Sequence, residues 1–358
     1  MKKSILFPIL LLLLVVFTAS LIVISGCGSA TSGGGGGGGG VASIPRIYIS
    51  DSTNKRVLIL DPSSLETISS IELTGSTSPT WMTINPDGSK LYVADEGSNK
   101  IYVIDTNSNE VTGVVTVCST PRGMDFNSDG SKLFVACSGG GDIAIVDTAN
   151  NTYTDSAADT IFSGLGINLC GLTYSPATNR LYICSNGSSR VDMVTAEGNA
   201  SVIASLTVPG AYDIAAAPGG HNIYVTAGHD AGTGCFLTSI EASTLTKVAT
   251  WAASSPYGSF RNIAVSPNGL IVLAGDHDAA YIDYLHVDTG TTEGIGMGTF
   301  ASEFRPSQIA ISSDSSKAFV VESYTTREVI AVDLVTKQKI GALVLPTSGS
   351  YFGIAYKP

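Results

Sequence analysis

A unit of 42 to 49 residues repeats along this chain, and a repeat of that length leaves few folds open. Asp87-Gly88-Ser89-Lys90-Leu91 returns as Asp129-Gly130-Ser131-Lys132-Leu133, 42 residues later. The same unit can be followed by the turn residue that ends its first segment: Pro86, Ser128, Pro176, Pro218, Pro267, Ser313 and Pro358. The steps are 42, 48, 42, 49, 46 and 45 residues. Each unit holds four short apolar or alternating segments separated by polar turns. Periods of about 40–50 residues with four strands each predict a β-propeller, here with seven blades.

The register inside the first segment agrees. Four residues before the turn stand Met82, Met124, Leu172, Ile214, Ile263, Ile309 and Ile354. Three before it stand Thr83, Asp125, Thr173, Ala215, Ala264, Ala310 and Ala355, mostly small. A bulky and a small face alternate with the pleat, so stacked sheets can interlock. The third segment commonly ends in aspartate (Asp61, Asp105, Asp147, Asp288, Asp333), whose carboxylate can cap the turn that follows. At the ends, Arg46–Ser50 aligns with a second strand, whereas Tyr351–Tyr356 is a first strand with nothing after it. An all-β, seven-bladed ring in which the C-terminal strand completes blade 1 removes both open edges.

The segments Arg46-Ile47-Tyr48-Ile49-Ser50, Lys90-Leu91-Tyr92-Val93-Ala94, Arg180-Leu181-Tyr182-Ile183-Cys184 and Asn222-Ile223-Tyr224-Val225-Thr226 resemble the Tyr-Val-Thr-Asn (YVTN) propeller repeat. The resemblance covers 46–358 and blurs at Thr238–Ile240 and Tyr281–Asp288. It implies the fold. Relatives of this kind serve as surface-layer, adhesion and envelope proteins, and others resemble lactonases and dehydrogenase subunits, so it leaves function open.

Ahead of the repeats, Met1-Lys2-Lys3, an apolar run from Ile5 to Ile24 and Ser25-Gly26-Cys27 form a secretory leader. Ile24-Ser25-Gly26-Cys27 also resembles a bacterial lipoprotein signal, which implies a signal peptide over 1–26 and a lipidated Cys27. The alternative is an uncleaved membrane span, since the run is near the ~20 residues needed to cross. Residues 27–45, with Gly33 to Gly40 in an unbroken row, form a flexible tether reaching ~25 Å. The propeller is then expected in the cell envelope outside the cytoplasm. Gly28 leans the expectation towards the outer membrane or cell surface.

Without Lys2 and Lys3 the chain carries 17 basic against 30 acidic residues, a net charge of −13. That excludes a nucleic-acid partner, which needs a positive footprint. No Gly-x-Ser-x-Gly elbow, His-Glu-x-x-His, phosphate loop or haem-attaching Cys-x-x-Cys-His occurs.

Candidate chemistry falls on the propeller face where first strands begin and second strands end. Equivalent loops of blades 5 and 6 carry His229-Asp230 and Asp276-His277-Asp278, in a chain with only four histidines. They are either ligands for a divalent cation or solvated loop residues. No cofactor is required by the sequence. Trp81, Arg122, Tyr212, Asp213, Arg261 and Arg305, with Thr80, Asn262 and Gln308 nearby, would rim the channel and grip a carboxylate, sugar acid or peptide. Alternatively, Arg122 and Arg305 pair with Asp125 and Glu322 and only close the rim. Strand pairing about the Pro176–Asn179 turn places Cys170 opposite Cys184, and Cys118 near Cys137. Two disulfides or buried free thiols would each satisfy this. Three functions fit: a membrane-tethered binding or scaffold module for a protein or glycan partner, favoured by the sequence; an enzyme of lactonase, lyase or hydrolase type; and a non-catalytic subunit of an envelope assembly or redox complex.

Overall fold

The computed structural model describes residues 44–153, 164–196, 201–230, 234–254, 259–277, 281–297, 306–322 and 326–358, with only the backbone of 229, 230 and 234. The leader, Cys27 and the glycine tether lie outside the described residues. Ser43–Pro358 is one compact unit. It is a seven-bladed propeller, each blade an antiparallel four-stranded sheet. The inner strands, in order from blade 1, are Tyr351–Lys357, Pro79–Ile84, Pro121–Phe126, Leu169–Ser175, Ala211–Ala216, Phe260–Val265 and Pro306–Ile311.

The last strand closes the ring as the sequence predicts. Tyr351–Lys357 pairs antiparallel with Arg46–Asp51, Ile47 opposite Tyr356 and Ile49 opposite Ile354. Blade 1 is therefore stitched from both ends of the propeller.

The second strands explain why their sequence is a continuous apolar run. In blade 2, Leu91 and Val93 pack against blade 1, while Tyr92 and Ala94 pack against blade 3. In blade 3, Leu133, Val135 and Cys137 face blade 2, and Phe134 and Ala136 face blade 4. A strand buried on both faces needs apolar residues at every position. Seven apolar clusters result, one at each blade junction. Each Leu or Val fully buried there contributes about 1.5–3 kcal/mol.

The aspartates that end third strands cap the following turns. Asp105 accepts from Asn107 N (2.8 Å) and Ser108 N (2.9 Å), and Asp333 accepts from Val335 N and Thr336 N. Those bonds hold both carboxyls below the usual carboxylate range. Asp288 departs, bonding the adjacent Thr289 N.

Around the channel, the inner strands approach too closely for ordinary side chains. The residue five before the turn residue occupies each seam. In blade 3 it is Gly123, where a Cβ would lie 2.5 Å from Cys170 O and 2.8 Å from Leu172 N. In blades 5, 6 and 7 it is Asp213, Asn262 and Gln308, and each bonds the next strand. Asp213 Oδ2 accepts from Ile263 N (3.2 Å), Asn262 Nδ2 donates to Pro306 O (2.8 Å), and Gln308 Oε1 accepts from Ile354 N (2.8 Å). Ser50 ties blades 1 and 2 by accepting from Gly353 N and donating to Thr80 O. Asp125 takes Tyr174 N, and Thr173 takes Ala216 N. A belt of polar side chains thus joins inner strand to inner strand.

Two outcomes test this account. Removing 347–358 strips blade 1 of its inner strand and bares the apolar clusters on both sides, so the truncated protein should aggregate or lose its cooperative thermal transition. Gly123→Ala should cost about 1–3 kcal/mol in denaturant unfolding, because backbone atoms cannot give way. Gly140→Ala, whose Cβ meets nothing nearer than 3.9 Å, should be near neutral.

Candidate functional site

Every inner strand carries a bulge at its start. The register slips between Pro79 and Met82, Pro121 and Met124, Leu169 and Leu172, Ala211 and Asp213, Phe260 and Asn262, and Pro306 and Gln308. A bulge sets two residues against one and re-aims a side chain. Here it turns the residue six before the turn residue towards the channel mouth: Thr80, Arg122, Cys170, Tyr212, Arg261, Ser307 and Phe352. A second ring comes from the residue just past each second strand, which supplies Glu96 and His277.

Six blades contribute to a cavity of about 270 Å³ at that mouth. Its walls include Trp81, Glu96, Arg122, Tyr212, Arg261 and His277. Glu96 accepts from Thr80 Oγ1 (3.0 Å) and faces Arg122 Nε at 3.4 Å, an ion pair that also ties blade 2 to blade 3. Burial opposes the Arg122 charge, but Glu96, with Cys170 and Tyr212, holds the guanidinium protonated. Arg261 lies over the Tyr212 ring, 5.6 Å from its centroid, and makes no ion pair among the described residues. Burial raises the Tyr212 hydroxyl above its ordinary pKa.

In blades 2, 3 and 6 the residue that ends the second strand anchors the loop above it. Asp95 is buried and accepts from Thr77 N (2.7 Å) and Ser78 N (2.8 Å). Burial pushes its carboxyl up, yet these bonds and those from Thr77 Oγ1, Gly97 N and Ser98 N hold it at about 2. Asp276 occupies the equivalent place in blade 6 and accepts from Ser259 N (2.9 Å). In blade 3 the place belongs to Cys137, which is bonded to Cys118 with Cα atoms 5.8 Å apart. A covalent tie there does what a carboxylate does in blades 2 and 6.

Several expected residues are placed differently from the sequence reading. Trp81, Arg122, Tyr212 and Arg261 share the mouth, but Asp213 lies below it, in the channel. Arg122 pairs with Glu96 instead of Asp125, because Asp125 points along its own seam to Tyr174 N, Thr173 Oγ1 and Phe126 N. Arg305 lies outside the described residues, and Glu322 binds the backbone of Thr326 and Arg327. Cys170 and Cys184 are separate buried thiols. The bulge sets Cys170 and Gly171 together opposite Cys184 and turns Cys170 to Arg122. Of the loop pair, His277 faces the cavity and Asp276 is turned inward as an anchor. The side chains of His229 and Asp230, and all of Asp278, lie outside the described residues. Among the described residues no three His, Cys, Asp or Glu side chains are grouped to hold a metal ion. Glu96 was not singled out from the sequence. Aligning the residue after each second strand would have exposed it beside His277.

Below the mouth the channel continues. Trp81 and Gln308 line both the mouth and a deeper space of about 250 Å³ that holds Asp125, Thr173 and Asp213. Burial lifts the Asp213 carboxyl to about 7, against bonds from Ile214 N and Ile263 N. Asp125 is raised for the same reason.

Residues 52–160, the larger part of blades 1 to 3, match a family described as "Lactonase, 7-bladed beta-propeller". No curated protein sequence matches the chain significantly. Among solved structures, a candidate 6-phosphogluconolactonase from Bacteroides uniformis is similar at a TM-score of 0.69 and 15% identity, over 87% of this chain and 99% of that one. A protein of unknown function from Desulfotomaculum acetoxidans gives 0.67 and 15%, over 87% and 98%. Hydrazine synthase of Kuenenia stuttgartiensis gives 0.65 and 14%, over 74% and 86%. At these identities the likeness is one of fold.

Proposed function

We propose that this propeller is a small-molecule hydrolase of lactonase type, acting at the channel mouth on a sugar acid lactone or a similar compact, oxygen-rich ring. The observation that carries the reading is the convergence of two guanidinium groups, an imidazole and three aromatic rings on one cavity of about 270 Å³. The match of the first blades to a lactonase family supports it. In this reading Arg261, stacked on Tyr212, and Arg122, oriented by Glu96, hold the acid group and the oxygen that gains charge as the ring carbonyl is attacked. Trp81 and Tyr212 cover the apolar face of the ring. His277 donates to the ring oxygen as its bond to the carbonyl carbon breaks. This replaces the binding or scaffold module that the sequence alone favours. That module, for a protein or glycan partner, returns if no turnover is found.

The experiment is a pH-stat assay of the full chain against a panel of sugar acid lactones, with calorimetric binding of D-gluconate. Turnover is expected, with Arg261→Ala lowering kcat/KM by up to about 5-fold, the loss of a contact of about 1 kcal/mol or less from an exposed guanidinium. Absence of turnover on every lactone would defeat the enzyme reading and restore the module for a protein or glycan partner.

The same proposal sets the domain outside the cytoplasm, as a YVTN-type propeller held to a membrane through a lipidated Cys27. Cys27→Ser should move the protein from the membrane pellet to the soluble fraction with its thermal transition unchanged, since a glycine tether transmits no structure. A variant that stayed in the pellet would mean that the apolar run itself is the anchor.

A further inference from the structure

The channel beneath the mouth holds a carboxyl that the binding reading does not use. Asp213 is 7% exposed and lines the space that shares Trp81 and Gln308 with the mouth. That space shares Asp125, Thr173 and Ala216 in turn with a third cavity of about 290 Å³, which opens among Pro86, Pro176 and Pro218. The three spaces follow one another from the mouth to the opposite face, and polar cavities of this size hold water. Asp213 is also fixed. Its two oxygens take Ile214 N (2.9 Å) and Ile263 N (3.2 Å), and Gly171 leaves room for it where any Cβ would collide. The titratable and charged groups around it are few. They are Tyr212 on its own strand, Cys170 and Cys184 on blade 4, Arg261 on blade 6, and Arg122 and Asp125 across the channel.

We propose that Asp213 is the proton-holding residue of the mouth site, taking up a proton through the channel whenever an acid anion forms or binds above it. The inference rests on the mouth accepting a small acid anion. In lactone hydrolysis, water oxygen bonds to the carbonyl carbon and the ring C–O bond breaks. One water proton goes to the ring oxygen. The other leaves the new carboxylic acid, and Asp213 receives it while the product covers the mouth. An ionised carboxylate bound above Asp213 repels the charged form of its carboxyl and so favours protonation. Burial already sets Asp213 at about 7, where a modest further rise changes its occupancy most. The coupling has a definite sign: anion binding takes up protons, and anion affinity falls as pH rises through the Asp213 range.

The test is calorimetry of the full chain in detergent at pH 7, titrating D-gluconate in two buffers of different ionisation enthalpy. We expect about 0.3–0.5 proton taken up per gluconate bound. Asp213→Asn should still bind gluconate with no uptake, and Asp125→Asn should keep the uptake. If Asp213→Asn fails to fold for want of a seam acceptor, Asp213→Ser, which still accepts one N–H, takes its place. Binding without uptake in the wild type, or uptake that survives in the Asp213 variant, overturns the proposal. If the wild type binds no gluconate, the mouth reading fails first, and infrared titration between pH 5.5 and 8.5 decides the carboxyl separately. A protonated carboxyl band with a midpoint near 7, absent from the Asp213 variant, sustains it as a proton holder, and no such band rejects it.

Discussion

Seven inner strands crowd around one axis, and everything else in this protein is arranged by how they tolerate it. A backbone that approaches another backbone must either present glycine or exchange hydrogen bonds, since a buried unpaired amide costs about 1–3 kcal/mol. This chain does both at one repeat position. Gly123, Gly171 and Gly353 let strands touch, and Asp213, Asn262 and Gln308 span the gap where they do not. Trp81 holds the same position between blades 2 and 3, where its ring packs into the junction and the Arg122–Glu96 pair supplies the tie. The apolar clusters between blades supply most of the cohesion, but they are not directional. The polar belt fixes which residues face the axis.

That fixing is what builds the mouth. Because the bulge recurs in the inner strands, one column of the repeat is delivered to the same rim from every blade. The neighbouring columns are taken up by structure: −5 by the seams, and the last residue of the second strand by the loop anchors Asp95, Asp276 and Cys137. The two columns that face the mouth are otherwise free of that duty, apart from the Arg122–Glu96 tie between blades 2 and 3. Glu96 and His277 share one of them, and Arg122, Tyr212 and Arg261 share the other. The site is therefore held by neighbours that are bonded to the adjoining strands and loops.

The repeat, the blade count and the closure of the ring were legible because each rests on periodicity: a turn residue every 42–49 positions and two chain ends that complement one another. What periodicity does not carry is the bulge. A pleat counted by twos puts Cys170 across from Cys184 and aims Asp213 at the rim, and one extra residue in the strand undoes both. The alternative pairing of Arg122 with Asp125 fails for a related reason, since Asp125 is three residues along the strand but points into a different seam. The loop histidines were seen as a pair because they are rare. Asp276 looked like a ligand because its role as a backbone anchor needs Ser259, seventeen residues earlier, to be recognised as its partner.

An acidic chain with a cationic mouth is not a contradiction. Charges separated by more than about 8–10 Å are largely screened at physiological ionic strength, so surface carboxylates spread over the blades contribute little at the axis. Arg122, which is partly buried, and Arg261, which is exposed, act at contact range, where screening by distance does not apply. Glu96 cancels part of this, but in doing so it holds Arg122 in place. Asp125 and Asp213 are the channel carboxyls that could oppose an anion; burial raises both, Asp213 to about 7, where it is only partly charged. A carboxyl with an ordinary pKa at that depth would be fully ionised and would repel the ligand that the arginines attract. Raising it to about 7 reduces the repulsion that the carboxyl would exert on the acid anion proposed to bind above it.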